Sequence, residues 1–190
     1  MKRAMVRHDS APRSSRAHLK VNAVQPYSIE IATERFLLWA ACRAAQAGSA
    51  RATRREFIPA LRSCGVMEWL KEPANHLSTD SVYDVEFDKW VTKVQRHVRL
   101  HARKHVKYGV GAKLVSTYVK GTFLLGTFRG TILEKHVMPP LDSILLKGLG
   151  LSHKWQQLTR AQFKRLIVRL RELPGYEAKW ELERDWDPGV

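Results

Sequence analysis

The amino-acid sequence predicts an all-α fold in a single domain, and three observations support this fold class. The chain has 190 residues and is 44% hydrophobic, which provides enough apolar surface for one substantial core. Apolar residues recur at spacings of three and four in several segments, as they do on one face of a helix. We find no pair of alternating segments typical of strands, and no internal repeat.

The first two predicted helices are marked by periodicity and by a cap. Residues 28–46 carry apolar side chains mostly at helical spacings, namely Ile31, Phe36, Leu37, Trp39, Ala40 and Ala44. After a break at 48–50, Thr53 and Glu56 have the spacing of a capping box. A second helix is therefore expected to begin at Thr53 and to end near Gly65.

The longest predicted helix begins near 78–80 and frays near Lys107. One face is an apolar stripe that we expect to be buried, formed by Phe87, Trp90, Val91, Val94 and Val98. The opposite face is basic and consists of Lys93, Arg96, Arg99 and Arg103. Because large aromatic side chains contribute most to a core, Trp39, Trp69 and Trp90 are expected to be buried.

Two further helices are expected in the last third of the chain. The segment 141–150, LDSILLKGLG, predicts a short helix that is ended by Gly148 and Gly150. Thr159 and Gln162 then have the spacing of a second capping box. The helix that follows carries an apolar stripe of Phe163, Leu166, Ile167, Leu170 and Leu173.

The composition divides the chain into three parts. Residues 1–26 are basic, with Asp9 as the only acid among the first 20 positions, and we expect them to form a flexible arm. They lack the apolar run of a secretory signal. Residues 27–173 contain the helical periodicity and form the predicted domain. Residues 174–190 are an acidic segment with five acids against two bases.

The charge distribution predicts a nucleic-acid partner. The formal net charge is +15, and between Trp90 and Leu133 there are nine Lys or Arg residues and no acid. The side chains that we expect to bind DNA are Lys93, Arg96, Arg103, Lys104, Lys107 and Lys120. No apolar run reaches the roughly 20 residues of a membrane span, so we expect no membrane partner. A cytoplasmic monomer associated with a prokaryotic nucleoid fits these features.

The cysteines and histidines do not indicate a metal site or a cofactor. Only Cys42 and Cys64 are present and no C-x-x-C occurs, which excludes a cysteine-based zinc or iron–sulfur site and fits a reducing cytosol. His97, His101 and His105 recur on one helix face, but basic neighbours repel a metal ion and no acid is close by in sequence. We expect a solvated or DNA-facing stripe there, and no cofactor.

The stretch KYGVGAKLV contains a glycine pair followed by an apolar helical run. We expect Gly109, Val110 and Gly111 to form a tight hairpin whose backbone amides hold a DNA phosphate at a helix start. A G-V-G sequence alone is also typical of any tight turn.

The longer stretch from Gly109 to Leu151 contains two blocks of a known pattern, GVGAKLVSTYVKGTF and PPLDSILLKGLGL. It resembles the helix-hairpin-helix plus Gly/Pro-Asp motif of the HhH-GPD superfamily of DNA glycosylases. The lyase-competent members share L-P-G-V-G-x-K-x-A and then P-V-D. The matching residues here are Gly109, Val110, Gly111 and Lys113 in the first block and Pro140, Leu141 and Asp142 in the second.

The resemblance implies a DNA glycosylase that flips out a damaged or modified base and breaks its C1′–N bond, in repair or in defence against modified phage DNA. Asp142 falls on the family's catalytic aspartate, which stabilises positive charge on the sugar. Lys113 falls on the Schiff-base lysine, which adds AP-lyase activity when its neutral amine attacks C1′. Tyr118 in the following helix is a candidate for stacking in the base pocket.

Other interpretations of these residues stay open. Asp142 is also an ordinary helix N-cap, and Lys113 is also a phosphate contact at a helix start. If Lys113 is no nucleophile, Asp142 directs water in a monofunctional glycosylase. The chain departs from the family by Val115 in place of a small alanine, and by 29 positions between Lys113 and Asp142. These departures favour the alternative of a non-catalytic helix-hairpin-helix DNA-binding protein, and the charge also fits an RNA-binding or ribosome-associated protein.

Overall fold

In the computed structural model, residues 28–47, 52–125, 130–174 and 179–183 are described, and these contain helices and no strand. The predicted basic arm (1–26) and most of the acidic segment (174–190) lie outside the described residues. The α-helices are α1 (Ile29–Gln46), α2 (Arg54–Ser63), α3 (Val66–Lys71), α4 (Asp80–Ala102), α5 (Tyr108–Leu125), α6 (Ser143–Gly148) and α7 (Arg160–Arg171). Short 3-10 helices span Pro73–Leu77, Ile132–His136, Trp155–Gln157 and Lys179–Glu183. The all-α prediction is confirmed for these residues.

Helix α5 lies at the centre of the molecule, and most of its residues are buried. It packs along α1 and against α4, and it also contacts α7 and the 3-10 helix Trp155–Gln157. At Gly121 the approach to α1 is close, because a Cβ there would lie 2.3 Å from Leu37 Cδ2. A helix that is apolar on nearly every side can only be stable when it is covered in this way.

The predicted helix starts are confirmed by their caps. Ser28 accepts a hydrogen bond from the Ile31 N–H at the start of α1. The Thr53 N–H donates to the Glu56 carboxylate at 2.5 Å, as the capping box at α2 requires. The second capping box opens α7 and consists of Thr159 and Gln162. These local bonds satisfy backbone groups that a helix leaves free at its first turn.

The predicted apolar stripe of α4 is buried, and Trp90 within it packs edge-on against Trp69 at 5.2 Å between ring centroids. The prediction that Trp39 lies in the core is wrong. Trp39 is 46% exposed and its neighbour Phe36 is 52% exposed. Helix α1 instead turns a different face to the core, formed by Leu37, Leu38, Ala41, Cys42 and Ala45.

A buried carboxylate ties three helices together. Asp88 of α4 is 6% exposed and accepts hydrogen bonds from the Tyr108 hydroxyl at 2.9 Å and the Arg160 Nε at 2.7 Å. Burial acts to raise the pKa of Asp88, but the bonds from Arg160 and Tyr108 more than offset this and lower it. This arrangement fixes the start of α5 and the start of α7 on α4.

The predicted glycine hairpin before α5 is not formed. The helix already begins at Tyr108, and the reversal after α4 is made by Arg103, whose φ is 54°. The Gly109 N–H donates to the Leu158 carbonyl at 3.1 Å, and the Gly111 N–H donates to the Lys107 carbonyl at 3.2 Å. Because both amides are engaged within the protein, they are not available to hold a phosphate.

The glycines of α5 serve close packing instead. A Cβ at Gly109 would lie 1.9 Å from the backbone oxygen of Trp155. Only glycine at this position therefore lets the 3-10 helix Trp155–Gln157 pack this closely on α5. At Gly111, a Cβ would meet Val91 Cγ1 at 3.2 Å. The β-branched Val115, which stands where the resembling family has alanine, is fully buried in the same helix.

We expect Gly109→Ala to lower the free energy of unfolding by about 1–3 kcal/mol, because the added methyl group forces the backbone at Trp155 away from α5. Urea denaturation followed by circular dichroism measures this change. Gly148→Ala is the matched control, since a Cβ there has nothing within 4 Å. Equal free energies of unfolding for the two variants would show that the packing of Trp155 on α5 does not require glycine at position 109.

Candidate active site

Lys113, predicted as the nucleophile or as a phosphate contact, is a buried lysine in the second turn of α5. Its Nζ lies 4.3 Å from the ring centroid of Trp155, which is a cation–π contact. The backbone of Trp155 packs onto Gly109. Because the ring is attached to this backbone, Gly109 also determines how close the Trp155 ring lies to Lys113.

Asp142 meets Lys113 although the two residues are 29 positions apart. Its Oδ1 accepts a hydrogen bond from the Leu145 N–H at 2.9 Å, which makes it the N-cap of α6. Its Oδ2 lies 3.6 Å from Lys113 Nζ, an ion-pair distance that is longer than a hydrogen bond. The cap therefore orients the carboxylate and leaves its second oxygen directed at the amine.

The pKa of Lys113 is lowered by burial, and the nearby Asp142 carboxylate partly offsets this effect. Lys104, a neighbour of Lys113 in the sequence, pairs through its Nζ with Glu56 Oε1 at 2.7 Å. Exclusion of water by the surrounding core is the main cause of the lowered pKa of Lys113.

Lys120 belongs to the same site. It lies seven residues after Lys113, which is two helical turns further along the same face of α5. It forms an ion pair with the Glu183 carboxylate. Burial lowers the pKa of Lys120, and the interaction with Asp142 opposes this shift. Lys120, predicted as a surface contact to DNA, is therefore a partly buried amine next to the candidate catalytic pair.

A cavity of about 300 Å³ opens beside Lys120. It is lined by Lys120, Leu124, Trp180, Glu181 and Glu183. Its volume is at the lower end of small-molecule pockets, which are typically about 300–1,000 Å³. Among the residues that the structure describes, nothing accepts a hydrogen bond from the buried indole N–H of Trp180.

The basic face predicted on α4 is exposed, and two of its members, Arg96 and Arg99, line a second cavity. Lys93, Arg96, Arg103 and Lys107 are all exposed to solvent. The cavity measures about 310 Å³ and is lined by Thr92, Gln95, Arg96, Arg99, His105 and Val106. The Gln95 amide donates to the Val106 carbonyl at 2.7 Å and thereby fixes the loop at its edge. This surface has the charge and the donors that phosphate groups bind.

Two other sequence candidates lie away from the Lys113–Asp142 pair. Tyr118 is buried, burial raises its pKa to about 12, and its charged neighbours are Glu34 and Arg62. It is a core residue on the other side of α5. The rings of His97 and His101 lie 4.3 Å apart between centroids with a tilt of 41°. The described residues contain no group of side chains suited to hold a metal ion.

Sequence reasoning missed three residues of this site: Trp155, Trp180 and Glu183. Trp155 and Trp180 lie in short 3-10 helices that have too few residues to show a periodic pattern. The acidic composition of 174–190 was the available signal for Glu183. A buried lysine needs a carboxylate partner, and this segment is rich in carboxylates.

Comparison with known proteins gives no match for this chain among family models, curated proteins or solved structures. The HhH-GPD resemblance therefore depends on the motif residues alone. Across the described ranges, no helix has both the length and the apolar character needed to cross a membrane.

Because the folded protein holds a proton on Lys113 less tightly than the unfolded chain does, its stability should increase with pH above the lowered pKa of Lys113. We expect the wild type to gain stability relative to Lys113→Met as the pH rises from about 7 to about 10. Urea denaturation at a series of pH values measures this difference.

Lys147→Met, at an exposed position of α6, is the control for removing a lysine. The difference between wild type and this control is expected to stay flat over the same pH range. A flat difference for Lys113→Met as well would contradict a lowered pKa.

Proposed function

We propose that this protein is a DNA glycosylase related to the HhH-GPD superfamily, in which the turn at Arg103 between α4 and α5 stands in place of the glycine hairpin. One observation carries the proposal: Lys113 and Asp142, the two positions that match the family's catalytic residues, lie 3.6 Å apart. The motif match was made on sequence positions only, and the contact between the two side chains is an independent result.

Asp142 supplies a fixed negative charge. When the bond between C1′ and the base breaks, positive charge develops on the sugar, and a preorganised carboxylate in a site with little water stabilises it. The Leu145 N–H bond holds one oxygen in place, and the other oxygen faces the site. In this proposal the same carboxylate acts as helix cap through one oxygen and as catalytic group through the other.

Lys113 supplies the amine. Only the neutral amine attacks C1′, and burial favours that form by lowering its pKa. Its attack forms a C–N bond to C1′ and displaces the base, which leaves with a proton from the amine. The C1′–O4′ bond then breaks, O4′ takes up a proton and a protonated imine forms. Loss of a C2′ proton then expels the 3′ phosphate by β-elimination. Lys120 is a second buried amine near Asp142, so the experiment must identify which lysine reacts.

The remaining elements fit the binding of a flipped nucleotide. The cavity beside Trp180 accepts a planar base by stacking, and it adjoins Lys120, which is on the same face of α5 as Lys113. The exposed cations of α4 bind the DNA backbone. We assign the phosphate contacts to these side chains, since the Gly109 and Gly111 amides are already bonded.

A non-catalytic DNA-binding protein is the second candidate. It is favoured by the small exposed fractions of the two side chains, 9% for Lys113 and 16% for Asp142, which also suit an ion pair that only holds α6 on α5. In that case the basic face of α4 binds DNA and no bond is broken.

We expect Asp142→Asn to reduce base release by about 10²–10³-fold while DNA binding is unchanged, since asparagine keeps the cap but loses the charge. Release is measured on duplexes with a panel of damaged bases and on phage DNA with modified bases. Asp80→Asn, at an acidic position of α4 distant in sequence, is the control. Full release by Asp142→Asn would remove the catalytic role.

We expect borohydride to trap a covalent adduct between the protein and cleaved DNA, with a yield that rises with pH because only the neutral amine reacts. Peptide mapping by mass spectrometry identifies the lysine. Lys113→Gln should lose the adduct, and Lys71→Gln, an exposed lysine of α3 with no role in the proposed site, should keep it. Base release without any adduct would indicate a monofunctional glycosylase, and absence of both would favour the non-catalytic protein.

A further inference from the structure

The aromatic residues on the outer face of α1 form an exposed surface that the proposed function does not use. Phe36 and Trp39 are 52% and 46% exposed, and their ring centroids lie 6.0 Å apart with a tilt of 32° between the rings. The core-facing stripe of α1 is a different one, so neither ring is needed to hold the helix on α5. A solvent-facing tryptophan next to a phenylalanine is a costly feature without a partner.

Arginines surround Trp39. A cavity of about 740 Å³ is lined by Trp39, Arg43, Gln46, Thr53, Arg54 and Arg55. Arg43 lies one turn after Trp39 on α1, and Arg54 and Arg55 are the first two residues of α2. The surface therefore combines one large exposed ring with three guanidinium groups from two helices.

The placement of Arg54 and Arg55 is unfavourable for the helix that carries them. A helix N-terminus already has a partial positive charge, so basic side chains in the first turn reduce its stability. The acids close by in sequence are engaged elsewhere, since Glu56 pairs with Lys104 and Glu34 pairs with Arg62. Among the described residues no carboxylate pairs with Arg43, Arg54 or Arg55, so the cluster is a positive surface of the kind that binds an anionic ligand.

We propose that this surface, formed by Trp39, Arg43, Arg54 and Arg55, binds an unpaired nucleic-acid strand. A base stacks on the exposed ring of Trp39, and the flanking phosphates bind the three arginines. Duplex DNA does not fit this chemistry, because its bases are stacked inside the helix and present no free ring face. This binding site goes beyond the proposed glycosylase activity and does not depend on it.

The test compares affinities of the full chain for a labelled oligothymidylate and for a hairpin duplex at fixed salt, by fluorescence anisotropy. Stacking of one base is worth about 1–3 kcal/mol, so Trp39→Ala is expected to weaken single-strand binding by about 5–150-fold. Duplex affinity should change less than about twofold, since phosphate contacts on α4 dominate it. Trp39→Phe keeps a ring and should restore most of the single-strand affinity.

The arginines are tested by salt dependence. For the Arg54→Ala and Arg55→Ala double variant, the slope of log affinity against log salt on the oligothymidylate should fall by about 1.4, which is two phosphate contacts at about 0.7 each. Arg165→Ala, at an exposed arginine of α7, is the matched control and should leave the slope nearly unchanged.

Three results would overturn the proposal. In the first, Trp39→Ala binds the single strand with the same affinity as the wild type, and circular dichroism verifies that the variant is folded. Another is an equal loss of affinity for strand and duplex. The third is loss of binding to anionic vesicles in Trp39→Ala with single-strand binding intact, which would identify a lipid surface as the ligand. Trp39→Ala is expected to release bases from duplex DNA at the wild-type rate. This measurement distinguishes the Trp39 surface from the Lys113–Asp142 pair.

Discussion

The structure depends on an amine placed inside an apolar helix. Among the described helices α5 has the most buried residues, and the Lys113 amine within it loses most of its hydration. Two contacts offset this loss: the carboxylate of Asp142 at 3.6 Å and the ring of Trp155 at 4.3 Å. The residues that cover α5 therefore have to be held in place accurately, since a small displacement would leave the charge buried without a partner.

Three separate features hold these covering residues. Gly109 lets the backbone at Trp155 approach α5, and the cap of α6 fixes the direction of the Asp142 carboxylate. Asp88 joins the starts of α5 and α7 to α4 through Tyr108 and Arg160. Each is a short-range contact, yet together they position a pair of residues that are far apart in the sequence. A site built on helix starts and a bulky ring is rigid, as preorganised electrostatic stabilisation requires.

The sequence allowed the helices and the caps to be predicted, because periodicity and capping boxes are local signals; Thr53 with Glu56 and Thr159 with Gln162 are examples. A motif indicated Lys113 and Asp142 as candidate site residues, whereas the contact between their side chains is visible only in the folded structure. Trp39 was predicted to be buried but is exposed. The hydrophobicity of its side chain alone does not decide which face of α1 packs on α5. Partners such as Glu183 could not be predicted, because they depend on how distant segments fold back.

Helix α5 is contacted from both directions along the chain. Gly121 meets Leu37, more than 80 positions earlier, and Lys120 pairs with Glu183, more than 60 positions later. Loops of this length have to close before the buried centre is complete. The entropic cost of closure grows slowly with loop length, and folding is slower in proteins whose contacts are far apart in the sequence. The protein should therefore acquire its helices early and its central helix environment late, more slowly than a bundle in which only neighbouring helices pack together.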